Sequence, residues 1–145
     1  MKIINAPILH KVLIRVPREK IYDAMTTAEG LDGWFTTGSS VDRKVGGKII
    51  FRWKNWGVDK VTTEAECPII EVKIPERFVF KWWEDHYTTV EMDFEEVKEG
   101  TIVKLKEHGY QDTEEGHKRC LECAVGWGES LTLLKFFIEY GISIK

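Results

Sequence analysis

Two hydrophobic periodicities divide this sequence, and they restrict its fold more than any other feature. In the middle of the chain the large apolar residues alternate, as in strands with one buried face, at Ile49, Phe51 and Trp53 and again at Phe78, Phe80 and Trp82. In the last third the apolar residues recur every three or four positions, as in a helix with one apolar stripe. These residues are Cys120, Cys123, Ala124, Trp127, Leu131, Leu134 and Ile138. Because both faces need cover, we expect the stripe to pack into the concave side of a twisted antiparallel sheet.

Turn and helix signals give the order of the elements. A β-branched segment at 8–16 predicts a first strand, and Pro17 suits the first turn of a helix whose buried face carries Ile21, Tyr22 and Met25. A second short helix is expected at 28–34. Glycine, proline and asparagine turns then separate strands expected at 40–45, 48–54, 60–73, 77–83, 87–97 and 101–108. The prediction is an α+β fold with about seven strands, two short helices after the first strand and a long C-terminal helix.

Composition excludes several classes of function. The formal net charge is -3 and neither sign forms a long block, so we expect no nucleic-acid partner and no binding to anionic membrane surfaces. No stretch approaches the roughly 20 apolar residues of a membrane span, and the N-terminus lacks the apolar core of a signal peptide. Three cysteines are too few for a disulfide scaffold. We expect a single cytoplasmic domain over residues 1–145, with reduced thiols.

Several strings in this order resemble the activator of heat-shock protein ninety ATPase homologue-like (AHSA-type) family of the START-like, or SRPBCC, helix-grip superfamily. They are LDGWF at 31–35, DRKVGGKIIF at 42–51, PERFVFKW at 75–82, GTIVKL at 100–105 with HG at 108–109, and GW at 126–127. The resemblance implies the helix-grip fold, a curved antiparallel sheet wrapped around a long C-terminal helix. Each string also has a plain structural role, since its glycines turn hairpins and its aromatics fill the interior.

The same resemblance suggests two kinds of partner. The superfamily implies a small apolar molecule or lipid held between sheet and helix, and the family implies a chaperone. The eukaryotic co-chaperone relies largely on a separate N-terminal domain for which 145 residues leave no room, so stimulation of a chaperone ATPase does not follow from the family alone. A polyketide-cyclase-like enzyme is the third alternative.

The aromatic residues have two interpretations. They either fill the core completely or form the walls of a cavity, and an empty apolar cavity of about 300 Å³ would cost roughly 7 kcal/mol, a large share of a stability of about 5–15 kcal/mol. A retained cavity therefore favours a bound ligand. We expect its walls to be formed by Trp34, Phe51, Trp53, Trp82, Met92, Trp127 and Leu131.

Catalytic, metal and cofactor sites have weaker signals. No nucleophile elbow, phosphate-binding glycine loop, zinc-protease helix or dinucleotide motif occurs, and no cofactor is predicted. Glu84, Asp85 and His86 could supply an acid or base at a cavity mouth, but a solvated turn is the favoured interpretation.

His117, Cys120 and Cys123 have spacing for a metal ion. Three ligands on one helix rarely converge, so we favour buried thiols that act as small hydrophobic groups.

The outer face of the last helix raises the question of oligomerisation. Val125, Leu133 and Phe136 fall opposite the apolar stripe, where a solvated helix should be polar. Either the tail at 141–145 folds back over them, or a second copy covers them in a homodimer. We favour the homodimer.

Overall fold

Residues 2–85, 87–143 and 145, which the computed structural model describes, form seven strands and three helices. The strands are β1 (Ile8–Ile14), β2 (Ser40–Val41), β3 (Lys48–Trp56), β4 (Val61–Lys73), β5 (Arg77–Trp82), β6 (Thr88–Val97) and β7 (Gly100–His108). The helices are α1 (Arg18–Thr26), α2 (Ala28–Trp34) and α3 (Glu114–Tyr140). The predicted order of elements is confirmed.

All strands lie in one antiparallel sheet with the order β1-β7-β6-β5-β4-β3-β2. The chain enters at one edge, crosses to the other edge through α1 and α2, and returns as a meander until β7 pairs with β1. The curved sheet surrounds α3, as the helix-grip prediction requires. Nowhere in the described ranges is a helix long and apolar enough to cross a membrane.

Local sequence signals explain where the helices begin and end. The hydroxyl oxygens of Thr27 and Thr113 accept hydrogen bonds at 3.0 Å from the amides of Gly30 and Gly116, which caps α2 and α3 at their N-termini. Pro17 precedes α1 with extended backbone angles. α3 ends at Tyr140, and the left-handed φ of 70° at the following Gly141 stops the helix.

The hairpins before and after β3 differ from the prediction. β2 ends at Val41 and not at Val45, because residues 42–47 form a broad turn. In this turn the amide of Lys44 donates to the carbonyl of Asp42, and the amide of Gly47 donates to the carbonyl of Lys44. β3 continues to Trp56, through the expected turn at 55–57. Asn55 has a φ of 53° and the register shifts beside it, so this residue forms a bulge inside the strand.

The core lies between the concave face of the sheet and the apolar stripe of α3. Leu131 and Leu134 are 3% and 0% exposed and contact a cluster that includes Phe80, Met92 and Leu105. The stripe residues Cys120, Cys123, Ala124 and Ile138 are half-buried against the same cluster. The predicted burial of one helix face inside the sheet is therefore correct.

The contrast between two leucines on α3 tests this packing. We expect Leu134→Ala to lower the free energy of unfolding by about 2–5 kcal/mol, because it leaves a cavity at a fully buried position. Leu121→Ala, at a position 70% exposed on the same helix, should change it by less than about 0.5 kcal/mol. Urea unfolding of both variants measures the difference, and equal losses would contradict the burial described for α3.

Candidate functional site

An apolar groove of about 440 Å³ opens between the middle of α3 and the ends of β3 and β5. Five tryptophans, together with Phe35 and Val61, form its apolar wall. The other five lining residues belong to α3 and are small or acidic. The lining residues are Phe35, Trp53, Trp56, Val61, Trp82, Trp83, Glu122, Cys123, Gly126, Trp127, Glu129 and Ser130.

Ring contacts, most of them edge-to-face, hold the wall in place. Trp82 meets Trp53 with ring centres 6.2 Å apart and planes at 89°, and it meets Trp127 at 5.9 Å. Phe35 stands edge-on to Trp53 at 5.4 Å and to Trp56 at 5.3 Å. Such pairs each add about 0.5–1.5 kcal/mol beyond the area they bury. The rings therefore support one another and keep the groove from closing by simple rotation.

A fully buried carboxyl group lies behind this wall. Trp127 Nε1 donates to Glu107 Oε1 at 2.7 Å, and the Tyr110 hydroxyl donates to Glu107 Oε2 at 2.6 Å. The Tyr110 oxygen in turn accepts from Trp83 Nε1 at 2.9 Å. Glu107 is 0% exposed. Two tryptophans of the groove are thus connected to one acidic side chain, directly or through a tyrosine.

Burial controls the ionisation of this cluster. Removal from water raises the pKa of Glu107 above its ordinary value, although the hydrogen bonds from Tyr110 and Trp127 oppose the rise. Burial and, next, the charge of Glu107 raise the pKa of Tyr110. Burial raises the pKa of the Cys123 thiol to about 12. Cys123 is therefore a protonated thiol at neutral pH and not an activated nucleophile.

Two wall tryptophans bury their indole N–H groups. The N–H of Trp53 finds no acceptor among the described residues, whereas that of Trp82 interacts with the Cys123 thiol. An unsatisfied buried donor costs about 1–3 kcal/mol. The neighbouring Trp83 has a φ of 70°, in the left-handed region that a bulky residue rarely adopts. Unmet hydrogen bonds and strained backbone concentrate at functional sites.

The seven expected wall residues separate into two groups. Trp53, Trp82 and Trp127 line the groove. The other four do not line it and belong to the closed core, with exposures of 2–3%: Trp34, Phe51, Met92 and Leu131. Trp34 also donates its indole N–H to the carbonyl of Ala24, which fixes it between α1 and α2.

Sequence reasoning did not identify Glu107. The residue continues the inward alternation of Val103 and Leu105 along β7, and all three are buried. An acidic residue in an apolar alternation is a signal of a buried charge, and it could have indicated this site. Trp56 and Trp83 also line the groove but were absent from the expected set.

The two described residues of the candidate acid–base cluster do not line the groove. Glu84 and Asp85 are exposed, and neither lines the groove. His86 lies outside the described residues. These positions favour the interpretation as a solvated turn.

The residues considered for a metal ion have other contacts. His117 Nε2 lies 2.7 Å from Asp112 Oδ1, Cys120 is half-buried, and Cys123 faces the Glu107 cluster. Among the residues the structure describes, no three His, Cys, Asp or Glu side chains are placed to hold a metal ion.

Comparison with known proteins agrees with this fold. The sequence model of the family described as Activator of Hsp90 ATPase homolog 1-like protein matches residues 15–139. No curated protein matches the chain significantly.

Solved structures give close matches over nearly the whole chain. A crystal structure of a Staphylococcus saprophyticus protein has 26% identity and a TM-score of 0.79, covering 97% of this chain and 96% of its own. The solution structure of the Aha1 dimer from Colwellia psychrerythraea has 25% identity and a TM-score of 0.78, with coverages of 94% and 98%. An AHSA1-like protein from Aeromonas hydrophila has 23% identity and a TM-score of 0.77, covering 94% of each chain.

The raised pKa of Glu107 predicts a pH dependence of stability. Because the pKa of Glu107 is higher in the folded than in the unfolded state, its contribution to the free energy of unfolding is complete below the unfolded pKa, near 4.5. That contribution is lost as the pH rises through the folded pKa. The loss is roughly 1.4 kcal/mol for each pH unit between the two values. Glu107→Gln removes the ionisable group, so we expect the difference in unfolding free energy, wild type minus variant, to decrease as the pH rises.

Urea unfolding between pH 4.5 and pH 8 measures this difference. Glu122→Gln, at an exposed position of α3, provides the control for loss of one carboxylate. A difference between wild type and Glu107→Gln that stays constant with pH would contradict the raised pKa.

Proposed function

This chain belongs to the Activator of Hsp90 ATPase homolog 1-like family, and we propose that it is a cytoplasmic binding module for an apolar or aromatic small molecule or lipid. The ligand lies in the groove between the sheet and α3. The observation that carries this proposal is the wall of half-buried tryptophans around a volume of about 440 Å³. Three free thiols agree with a reducing compartment.

The size and chemistry of the groove suit a small ligand. Ligand sites are typically mostly apolar and of about 300–1,000 Å³. Each 100 Å² of apolar surface that a ligand covers contributes roughly 2.5 kcal/mol. Rigid aromatic side chains lose little conformational freedom on binding, so little of this free energy is offset by ordering of the protein.

Small residues at two lining positions of α3 leave room beside the tryptophans. Cys123 and Gly126 face the tryptophans from α3. A Cβ atom at Gly126 would have no neighbour within 4 Å. Replacing glycine in a helix interior would gain about 0.5–1 kcal/mol, so an open position here has a stability cost that ligand binding explains.

A chaperone partner is the second candidate. The family description names an activator of an Hsp90 ATPase, and α3 exposes an apolar surface at Leu121, Val125, Phe136 and Tyr140. A chaperone ATPase rate that rises on addition of the purified protein would favour this function over ligand binding. Catalysis has less support, because Glu84 and Asp85 do not line the groove.

We also propose a homodimer through the outer face of α3. Val125 is 71% exposed and Phe136 is 47% exposed, and the Colwellia psychrerythraea relative is described as a dimer. Leu133 is half-buried, in a cleft of about 290 Å³ that it shares with Trp34, Phe136 and the tail residues Ile142 and Ser143. The described tail residues therefore cover only part of this face; Ile144 lies outside the description.

Side-chain size at Gly126 tests the groove. We expect Gly126→Phe to weaken binding of the neutral fluorescent probe N-phenyl-1-naphthylamine by about tenfold or more, because the new ring occupies the open volume. Gly126→Ala adds helix propensity without filling the groove and should bind within about twofold of wild type. Fluorescence titration measures affinity, and thermal unfolding shows that both variants fold. Unchanged binding by Gly126→Phe would place the ligand elsewhere.

Charge on the outer face of α3 tests the homodimer. Phe136→Glu should convert a wild-type dimer into a monomer, because a desolvated carboxylate in a self-complementary contact lacks a partner. Leu9→Glu adds the same charge at a position 67% exposed on β1 and should stay dimeric. Light scattering distinguishes the states. A monomeric wild type, or a dimeric Phe136→Glu variant, would contradict this interface.

A further inference from the structure

We infer that the groove selects ligands whose apolar body carries a positive charge. This inference rests on the proposed binding function and specifies its ligand class. Three observations support it: the charged groups at the groove, the exposed faces of the aromatic rings, and the small number of available hydrogen-bond donors. Each of these observations is independent of the family comparison.

The first observation is a one-sided charge distribution. Glu122 and Glu129 line the groove from α3, and both are exposed. They lie seven residues apart, which is about 10 Å along a helix. Within the described chain neither carboxylate has an ion pair or hydrogen bond, and no lysine or arginine is among the lining residues. The mouth of the groove therefore has two uncompensated negative charges.

The second observation is the supply of aromatic faces. Trp53, Trp56, Trp82 and Trp83 are half-buried, so part of each ring surface is free. The face of an indole ring attracts cations through its quadrupole. Trp83 already has such a contact, because the guanidinium carbon of Arg119 lies 5.1 Å from its ring centre. A positive charge is therefore accommodated beside this wall.

Arg119 does not neutralise the mouth of the groove. Its guanidinium lies 3.3 Å from Glu115 and donates to the Tyr87 hydroxyl at 3.0 Å. Arg119 is thus paired with two groups that do not line the groove. The carboxylates of Glu122 and Glu129 remain available to a ligand.

The third observation concerns anionic ligands, which would need free donors. The indole N–H groups of Trp83 and Trp127 are already hydrogen-bonded. Those of Trp53 and Trp82 are buried and are not presented to a ligand surface. The indole of Trp56 and the hydroxyl of Ser130 remain as donors among the lining side chains, against two carboxylates. The balance of charges and donors at the mouth thus disfavours an anion.

Three ten-carbon probes with different head groups test the inference. Decyltrimethylammonium, decanol and decanoate share the same chain, so differences in affinity report the charge. At low ionic strength and pH 7.5 we expect the cation to bind about 3–10-fold tighter than the alcohol, and the anion to bind more weakly than the alcohol. The preference should decrease in about 0.5 M salt, where exposed charges are screened. Tryptophan fluorescence, below micelle formation, measures the affinities.

Neutral variants connect the preference to its residues. In the double variant Glu122→Gln with Glu129→Gln, the cation should lose most of its advantage, while decanol should bind within about twofold of wild type. Glu96→Gln with Glu99→Gln makes the same change in net charge at exposed positions around the β6–β7 turn, at the end of these strands remote from Glu107. This control should keep the preference.

The outcomes separate this inference from the function it rests on. Equal affinity for the three probes, tighter binding of decanoate, or a preference that survives in the Glu122 and Glu129 double variant would overturn the cation selectivity and leave the binding function intact. Absence of binding by all three probes would instead contradict the binding function itself.

Discussion

The insertion of α3 into the concave sheet is the contact on which the rest of the structure depends. At Leu131 and Leu134 this contact is closed, because both side chains are buried in the core. Earlier in the helix, at Cys123 and Gly126, small residues line a groove beside the tryptophans of β3 and β5. One helix thus stabilises the fold at some positions and forms a wall of the groove at others.

Glu107 gives the groove a defined shape at a cost in desolvation. A buried carboxyl is expensive unless its oxygens are hydrogen-bonded, and here Trp127 and Tyr110 each donate to one oxygen. In exchange, rings that would otherwise pack in several ways are held in one arrangement. This organisation explains how a wall made largely of tryptophan keeps a fixed geometry beside a groove.

Alternation and helical spacing were sufficient to predict the fold, because both patterns report directly on which face is buried. They could not predict the groove. Phe51 and Trp53 lie on the same face of the same strand, yet Phe51 is in the closed core and Trp53 lines the groove. Which of the two is covered depends on the elements that pack over the strand, and that packing is a tertiary property. Glu107 was missed for a different reason. It occupies an inward position in the alternation of β7, but its side chain is acidic where the neighbouring inward residues Val103 and Leu105 are apolar.

The position of β1 in the sheet also determines how this chain must fold. Ile8 pairs with Glu107, 99 positions further along, so the sheet is completed by a contact between distant parts of the chain. Contacts of this kind slow folding, because a long loop has to close before any of them forms. α3 packs against β1 as well. During synthesis, β1 must therefore wait for β7 and α3, and the domain reaches its native state only after the residues of α3 have left the ribosome.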